Sequence, residues 1–166
     1  MKRILAVATL LLSACAHRPA IDSQPMPQVD LARYMGRWHE IVRYPHRFER
    51  GCREVTADYA LRPDGRLDVL NSCRKGEPPA LKTARATGWS VHPSASRLKV
   101  RFFWPFSGDY WIVGLDPDYR WVMVGSPRKD YFWILARQPT LPPALEQELF
   151  ERARALGYDP ARFERP

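Results

Sequence analysis

Between Arg37 and Gln138 the chain alternates short β-branched and aromatic runs with turn-forming breaks, eight times in succession. The runs cover residues 37–44, 53–61, 66–73, 82–92, 97–104, 109–116, 120–126 and 131–138. A spacing of about 8–12 residues belongs to an all-β sandwich or barrel. Arg62-Pro63-Asp64-Gly65 is a strong hairpin break, with proline presetting φ and glycine accepting the left-handed position. Residues 116–118 and 92–96 supply two more breaks. Eight consecutive antiparallel strands can close on themselves and so remove both edges, and at that strand number the interior has room for one small ligand. The expected fold is an all-β, eight-stranded up-and-down antiparallel barrel over about residues 37–138.

Beyond Pro139 the period changes. Pro142 and Pro143 suit a helix start, Leu145, Leu149, Phe150, Ala153 and Leu156 recur at helical spacing, and Gly157 stops the run. One amphipathic helix, about 142–156, should lay this apolar stripe on the outside of the barrel. The 166 residues, 45% hydrophobic, suffice for one domain with a real core but not for two.

The first residues read as an address rather than as structure. Lys2 and Arg3 precede an apolar stretch from Ile4 to Leu12, of secretory length and short of the roughly 20 residues a spanning helix needs. Leu12-Ser13-Ala14-Cys15 then resembles a bacterial lipobox. That resemblance implies a signal peptide, 1–14, cleaved to leave N-palmitoyl, S-diacylglycerol Cys15 as the lipid attachment. Several acyl chains anchor a protein stably where one does so only marginally. Ala16 in place of aspartate is similar to outer-membrane sorting signals. Residues 15–28, polar and holding Pro19, Pro25 and Pro27, read as a tether, and the folded domain is expected over 29–166. A net charge of +8 suits anionic lipid or nucleic acid; export and anchoring argue against nucleic acid.

Three short patterns, in order, resemble the signatures of the lipocalin family. Gly36-Arg37-Trp38 stands at the start of the first strand, Asp116-Pro117-Asp118-Tyr119 between strands six and seven, and Arg137 near the end of strand eight. Residues 46–51, 102–106 and 131–137 are similar to bacterial outer-membrane members, and the resemblance spans about 29–163. It implies a barrel closed at one end, with Gly36, Trp38, Asp116, Tyr119 and Arg137 as structural residues. Trp38 would plug the floor, with the Arg137 guanidinium on its indole face and donating to carbonyls of the N-terminal segment. The resemblance also implies a small hydrophobic ligand, a fatty acid, lysophospholipid or similar amphiphile, stored or transported at the outer membrane without cofactor or metal.

Strand alternation then assigns faces. With Arg137 inward, Leu135, Trp133 and Tyr131 are inward too; Val55, Ala57 and Tyr59 form the inward face of strand two, and Leu67, Val69 and Asn71 that of strand three. Candidate ligand contacts are Trp133, Asn71, Tyr59, Ala57, Val69 and Tyr131, each of which ordinary core packing would also explain. If Trp38 marks the closed end, the mouth carries His46, Arg47 and Arg50, then Arg74 and Lys75, then Trp104-Pro105-Phe106, then Arg128 and Lys129. A basic rim suits an amphiphile whose charged head stays wet, because burying an ionised head costs several kcal/mol.

Cys52 and Cys73 are a candidate disulfide in an oxidising envelope. Opposed positions summing to 126 or 127 would bring them together, whereas the other parity sends the sulfurs to opposite faces. Neither a catalytic signature nor metal-ligand spacing is present: there is no Gly-x-Ser-x-Gly, no phosphate-binding loop and no His/Cys cluster. The readings left standing are a non-catalytic carrier, an envelope interaction module using the aromatic patch at 104–106, and, less supported, an enzyme acting on lipid. Pairing of two copies is left open.

Overall fold

The computed structural model describes residues 25–166; the expected signal peptide, Cys15 and most of the tether lie outside the described residues. Eight strands follow one another, β1 (Gly36–Arg43), β2 (Arg53–Leu61), β3 (Leu67–Lys75), β4 (Ala80–Ser90), β5 (Arg97–Phe103), β6 (Phe106–Leu115), β7 (Trp121–Gly125) and β8 (Phe132–Ala136). Each pairs antiparallel with the next, and β8 returns to β1 to close the barrel. The short helix α1 (Leu31–Tyr34) lies across one end, capped by the Asp30 carboxylate, which accepts from the Ala32 and Arg33 amides. The helix α2 (Pro143–Ala155) packs on the outer wall. The ordered chain reaches back past Val29, since the Met26 amide donates to the Ile112 carbonyl.

Period-two alternation divides the apolar side chains between two cores. Inward residues, among them Trp38, Leu67, Leu98, Ile112, Val122, Val124 and Leu135, fill the lower barrel. The outward faces of β1, β7 and β8 are apolar as well, because α2 covers them. Val42, Met123, Phe132, Ile134 and Ala136 pack there with Leu149 and Ala153, while Leu145, Phe150 and Leu156 lie partly buried at the margin. Gly157, at φ +84°, ends this helix where a side chain would be strained.

The closed end is built around Trp38, which is fully buried. The Arg137 guanidinium lies 3.8 Å from the centre of its ring. Nη1 of Arg137 donates to the Arg37 carbonyl, Nη2 to those of Arg33 and Tyr34, and Nε to that of Tyr119. The Trp38 indole donates to the Tyr34 carbonyl at 2.9 Å. Tyr119, at φ +59°, turns its hydroxyl to accept from the Asp30 amide. Asp116 is buried and accepts from the Asp118 and Arg120 amides and from the Arg120 guanidinium. Gly36, at φ +92°, lets β1 begin beside Arg137.

Cys52 and Cys73 form a disulfide, and one of the two expected registers, 127, holds beside them but not along the rest of the hairpin. From Thr56 to Leu61 the opposed positions of β2 and β3 sum to 128, as in Ala57 opposite Asn71. A bulge next to Glu54, which has φ 51°, then restores 127 at Arg53 opposite Arg74. Both cysteines lie in a small buried cluster with Val55.

Trp38→Ala should cost about 3–5 kcal/mol of folding stability in denaturant titrations; a loss under 1 kcal/mol would show that the floor does not depend on the indole. Replacing Cys52 and Cys73 by alanine should cost about 3 kcal/mol, as expected for a loop of this length, and chemical unfolding of the variant checks it.

Candidate ligand-binding site

The closed end fixes the orientation of everything above it. Because β1 starts at the floor, the connections at 44–52, 76–79, 104–105 and 126–131 surround the opposite, open end. Interior packing loosens with height. The floor residues are almost fully buried, Ala57, Tyr59, Val69 and Ala86 are slightly accessible, and Asn71, Val100, Tyr110, Tyr131 and Trp133 are half-buried.

Small side chains produce this gradient. Across the wall, Ala57 opposes Asn71 and Asn71 opposes Ala84, an inward row with little bulk on either side of the amide. On the facing strands Val100 opposes Gly108, and a Cβ added to Gly108 would meet nothing within 4 Å. The Asn71 Oδ1 atom is buried without a hydrogen-bond partner among the described residues. A buried polar atom left unpaired costs about 1–3 kcal/mol. It is the kind of group a ligand would satisfy. Trp133 and Tyr131 stack in parallel, 5.8 Å apart, at the upper wall. The six sequence-derived contacts thus share one interior, though at different heights: Tyr59 and Val69 lie lowest, Ala57 and Asn71 above them, Trp133 and Tyr131 near the mouth.

Tyr59 does more than line the wall. Its hydroxyl is 3.0 Å from that of Tyr110, which in turn is 2.6 Å from that of Tyr34, forming a chain of three phenols above the floor. Burial raises all three above the ordinary phenol value, Tyr59 to about 12, so each keeps its proton. A linear chain of three hydroxyls has one proton more than it needs internally. Tyr110 was legible as inward by alternation from Ile112.

A second polar group was not anticipated. Glu40, Arg43, His46 and Glu49 gather beside Trp133. Arg43 donates to Glu40 at 2.7 Å and to Glu164 at 2.8 Å, His46 Nε2 lies 2.9 Å from Glu49, and Trp133 Nε1 lies 3.5 Å from the same carboxylate. Burial, and next the Glu49 carboxylate, push Glu40 up to about 8. For Glu49, burial is overcome by the contacts with His46 and Arg43, which hold it below its ordinary value. Glu40 could have been placed by counting two residues on from Trp38. Arg43 could not, because a register shift between Glu40 and Val42 brings it to the inward side.

The rim is less uniformly basic than its composition suggests. Arg74 pairs with Glu54 and Arg128 with Asp130, leaving Arg47, Arg50 and Lys75 exposed without a carboxylate partner among the described residues. The wall also parts at one side: β4 and β5 pair only from Thr87 opposite Arg101 to Ser90 opposite Leu98. A cleft of about 470 Å³ lies there, lined by inward Tyr59, Val69 and Ala86, by outward Arg62, Arg85 and Arg101, and by Trp104.

A single-chain barrel sealed by an arginine–tryptophan floor, open above and lined by small and aromatic side chains, defines a class of proteins built to hold small molecules. The lipocalin-like domain family matches residues 29–166, and this chain belongs to it. It is 38% identical over 160 residues to the outer membrane lipoprotein Blc of Escherichia coli K12, covering 95% of this chain and 90% of that protein. Blc of Vibrio cholerae is 35% identical over 161 residues, covering 96% and 94%. Temperature-induced lipocalin-1 of Arabidopsis thaliana is 34% identical over 139 residues, covering 79% and 75%. Among solved structures, insecticyanin from the tobacco hornworm Manduca sexta superposes with a TM-score of 0.69 at 18% identity, over 87% of this chain and 83% of that one. This last likeness is one of fold.

Glu40 supplies a pH test. Its carboxyl titrates near 8 in the folded barrel and near its ordinary 4.5 when unfolded, so between those values the folded state binds the extra proton. The stability this gives is complete below about pH 4.5 and is lost as pH rises through about 8. Melting curves of Glu40→Gln should therefore gain on the parent steadily across that window; a constant difference contradicts the assignment.

Proposed function

We propose that this lipocalin is a non-catalytic carrier, anchored through lipidated Cys15 to the bacterial outer membrane. It holds a fatty acid, lysophospholipid or similar amphiphile in its barrel for storage or transfer. The observation that carries this reading is the row Ala57–Asn71–Ala84 facing empty space at Gly108, with the Asn71 oxygen unpaired. The names of the bacterial relatives support the membrane assignment, and the leader with its lipobox agrees with them.

The chemistry is exclusion of water, with no bond made or broken. An acyl chain gains about 25 cal/mol for each Å² removed from water. The upper aromatic pair, Trp133 and Tyr131, offers flat apolar contact, while Asn71 and the spare phenol proton offer a hydroxyl, ester or carboxyl group its hydrogen bonds. A charged head rests at the rim near Arg47, Arg50 and Lys75, where it keeps its hydration.

Fluorescence titration of delipidated protein with oleate and with lysophosphatidylethanolamine tests this directly. Trp133→Ala should weaken binding about tenfold or more, the worth of a large aromatic contact, with the melting temperature nearly unchanged. Equal affinity in the variant would remove Trp133 from the site. Failure of every amphiphile to bind the parent protein, with no lipid in its organic extract, would favour the interaction-module reading instead.

A further inference from the structure

The mouth carries two features beyond the lining of the cavity. Phe48 (72% exposed), Leu81 (64%), Phe103 (78%), Trp104 (82%) and Phe106 (77%) are the most exposed large apolar side chains among the described residues. All five lie on mouth loops or on the strand ends beside them. Three of them form the tip of the β5–β6 hairpin, where Phe103 sits opposite Phe106. Leaving such side chains exposed to water is unfavourable, and a patch of this kind marks a contact surface.

Although Arg53, Arg74 and Arg128 at the mouth are paired with Glu77, Glu54 and Asp130, a group of cations without partners lies at the same end. Toward the closed end, basic side chains are engaged: Arg37 with Asp58, Arg62 with Asp68, Arg120 with Asp116, and Arg97 and Arg137 over the rings of Trp111 and Trp38. At the mouth, Arg47, Arg50, Lys75 and Lys82 are exposed, with neither a carboxylate nor a ring partner among the described residues. Unpaired cations and exposed aromatic rings therefore share one end of the barrel.

We propose that this mouth docks on an anionic phospholipid bilayer, with Phe103, Trp104 and Phe106 entering the headgroup–acyl boundary and Arg47, Arg50, Lys75 and Lys82 lying on the lipid phosphates. Indole and phenyl rings settle at that boundary, and cations near an anionic leaflet add to the attraction. A second copy of the chain fits the patch poorly, because face-to-face pairing would bring two identical sets of unpaired cations together. A bilayer brings phosphates. The docking holds whatever the barrel contains; if the carrier reading also holds, an acyl chain passes from bilayer to cavity without crossing bulk water.

The test uses the chain from Ala16 onward, which lacks Cys15 yet contains every strand, helix and core of the closed barrel. It is sedimented with vesicles of phosphatidylethanolamine and phosphatidylglycerol, and with vesicles of phosphatidylcholine alone. Binding should favour the anionic vesicles and fall with added salt. Each cation at such a surface is worth about fivefold in affinity, so Lys75→Gln with Lys82→Gln should weaken binding roughly 25-fold. Trp104→Ser with Phe106→Ser should abolish most of it, with melting temperature and oleate binding preserved. Trp133→Ala, run in parallel, should weaken oleate binding about tenfold or more and keep the vesicles, which separates this proposal from the carrier reading. Equal binding to both vesicle types, or vesicle binding unaffected by the hairpin substitutions, overturns it. So does a concentration-dependent dimer abolished by those substitutions in a chain that ignores vesicles.

Discussion

The contact between Arg137 and Trp38 gives the barrel a bottom. An indole alone would leave carbonyls of β1, of the β6–β7 turn and of the entering N-terminal segment without the donors that Arg137 supplies. The guanidinium covers the ring at 3.8 Å and at the same time donates to the carbonyls of Arg33, Tyr34, Arg37 and Tyr119. Four chain segments are thereby tied by one side chain whose planar fork of donors no lysine could reproduce. With that end sealed, the other end can stay open, and side chains higher in the barrel are free to be small.

A barrel whose upper interior is lined by small side chains gives up contacts that a fully packed one would have. The fold places its packing elsewhere. Below these residues, Trp38, Leu67, Leu98 and Ile112 fill the floor; outside the barrel, α2 presses Leu149 and Ala153 onto β1, β7 and β8. The disulfide between Cys52 and Cys73 then holds the mouth ends of β2 and β3 where few apolar neighbours are present. Stability and vacancy thus occupy separate parts of one sheet. The polar cluster at Glu40, Arg43 and Glu49 fits the same division, since it faces the upper interior, where full apolar packing has already been given up.

Much of this was legible in the residues. Eight runs with proline and glycine breaks dictated the meander, and the spacing from Leu145 to Leu156 placed α2 to within a residue. Alternation correctly set Tyr59, Val69 and Asn71 on the inward face. What alternation could not see were the register shifts. A bulge beside Glu54 changed the β2–β3 count, and another between Glu40 and Val42 turned Arg43 inward. A single extra residue reverses which face a side chain takes, and nothing in the local composition at these points announces it. The phenol chain of Tyr34, Tyr59 and Tyr110 was hidden for another reason: its members come from three elements far apart in the sequence.

If the closed barrel takes up one amphiphile in its upper interior, the pair should survive gentle purification. Native mass spectrometry of the protein purified from membranes without organic solvent tests it most directly. The expected mass exceeds that of the protein by one small lipid for each barrel, is lost after solvent extraction and is regained on adding oleate. A bare protein mass before extraction and after adding oleate would contradict it.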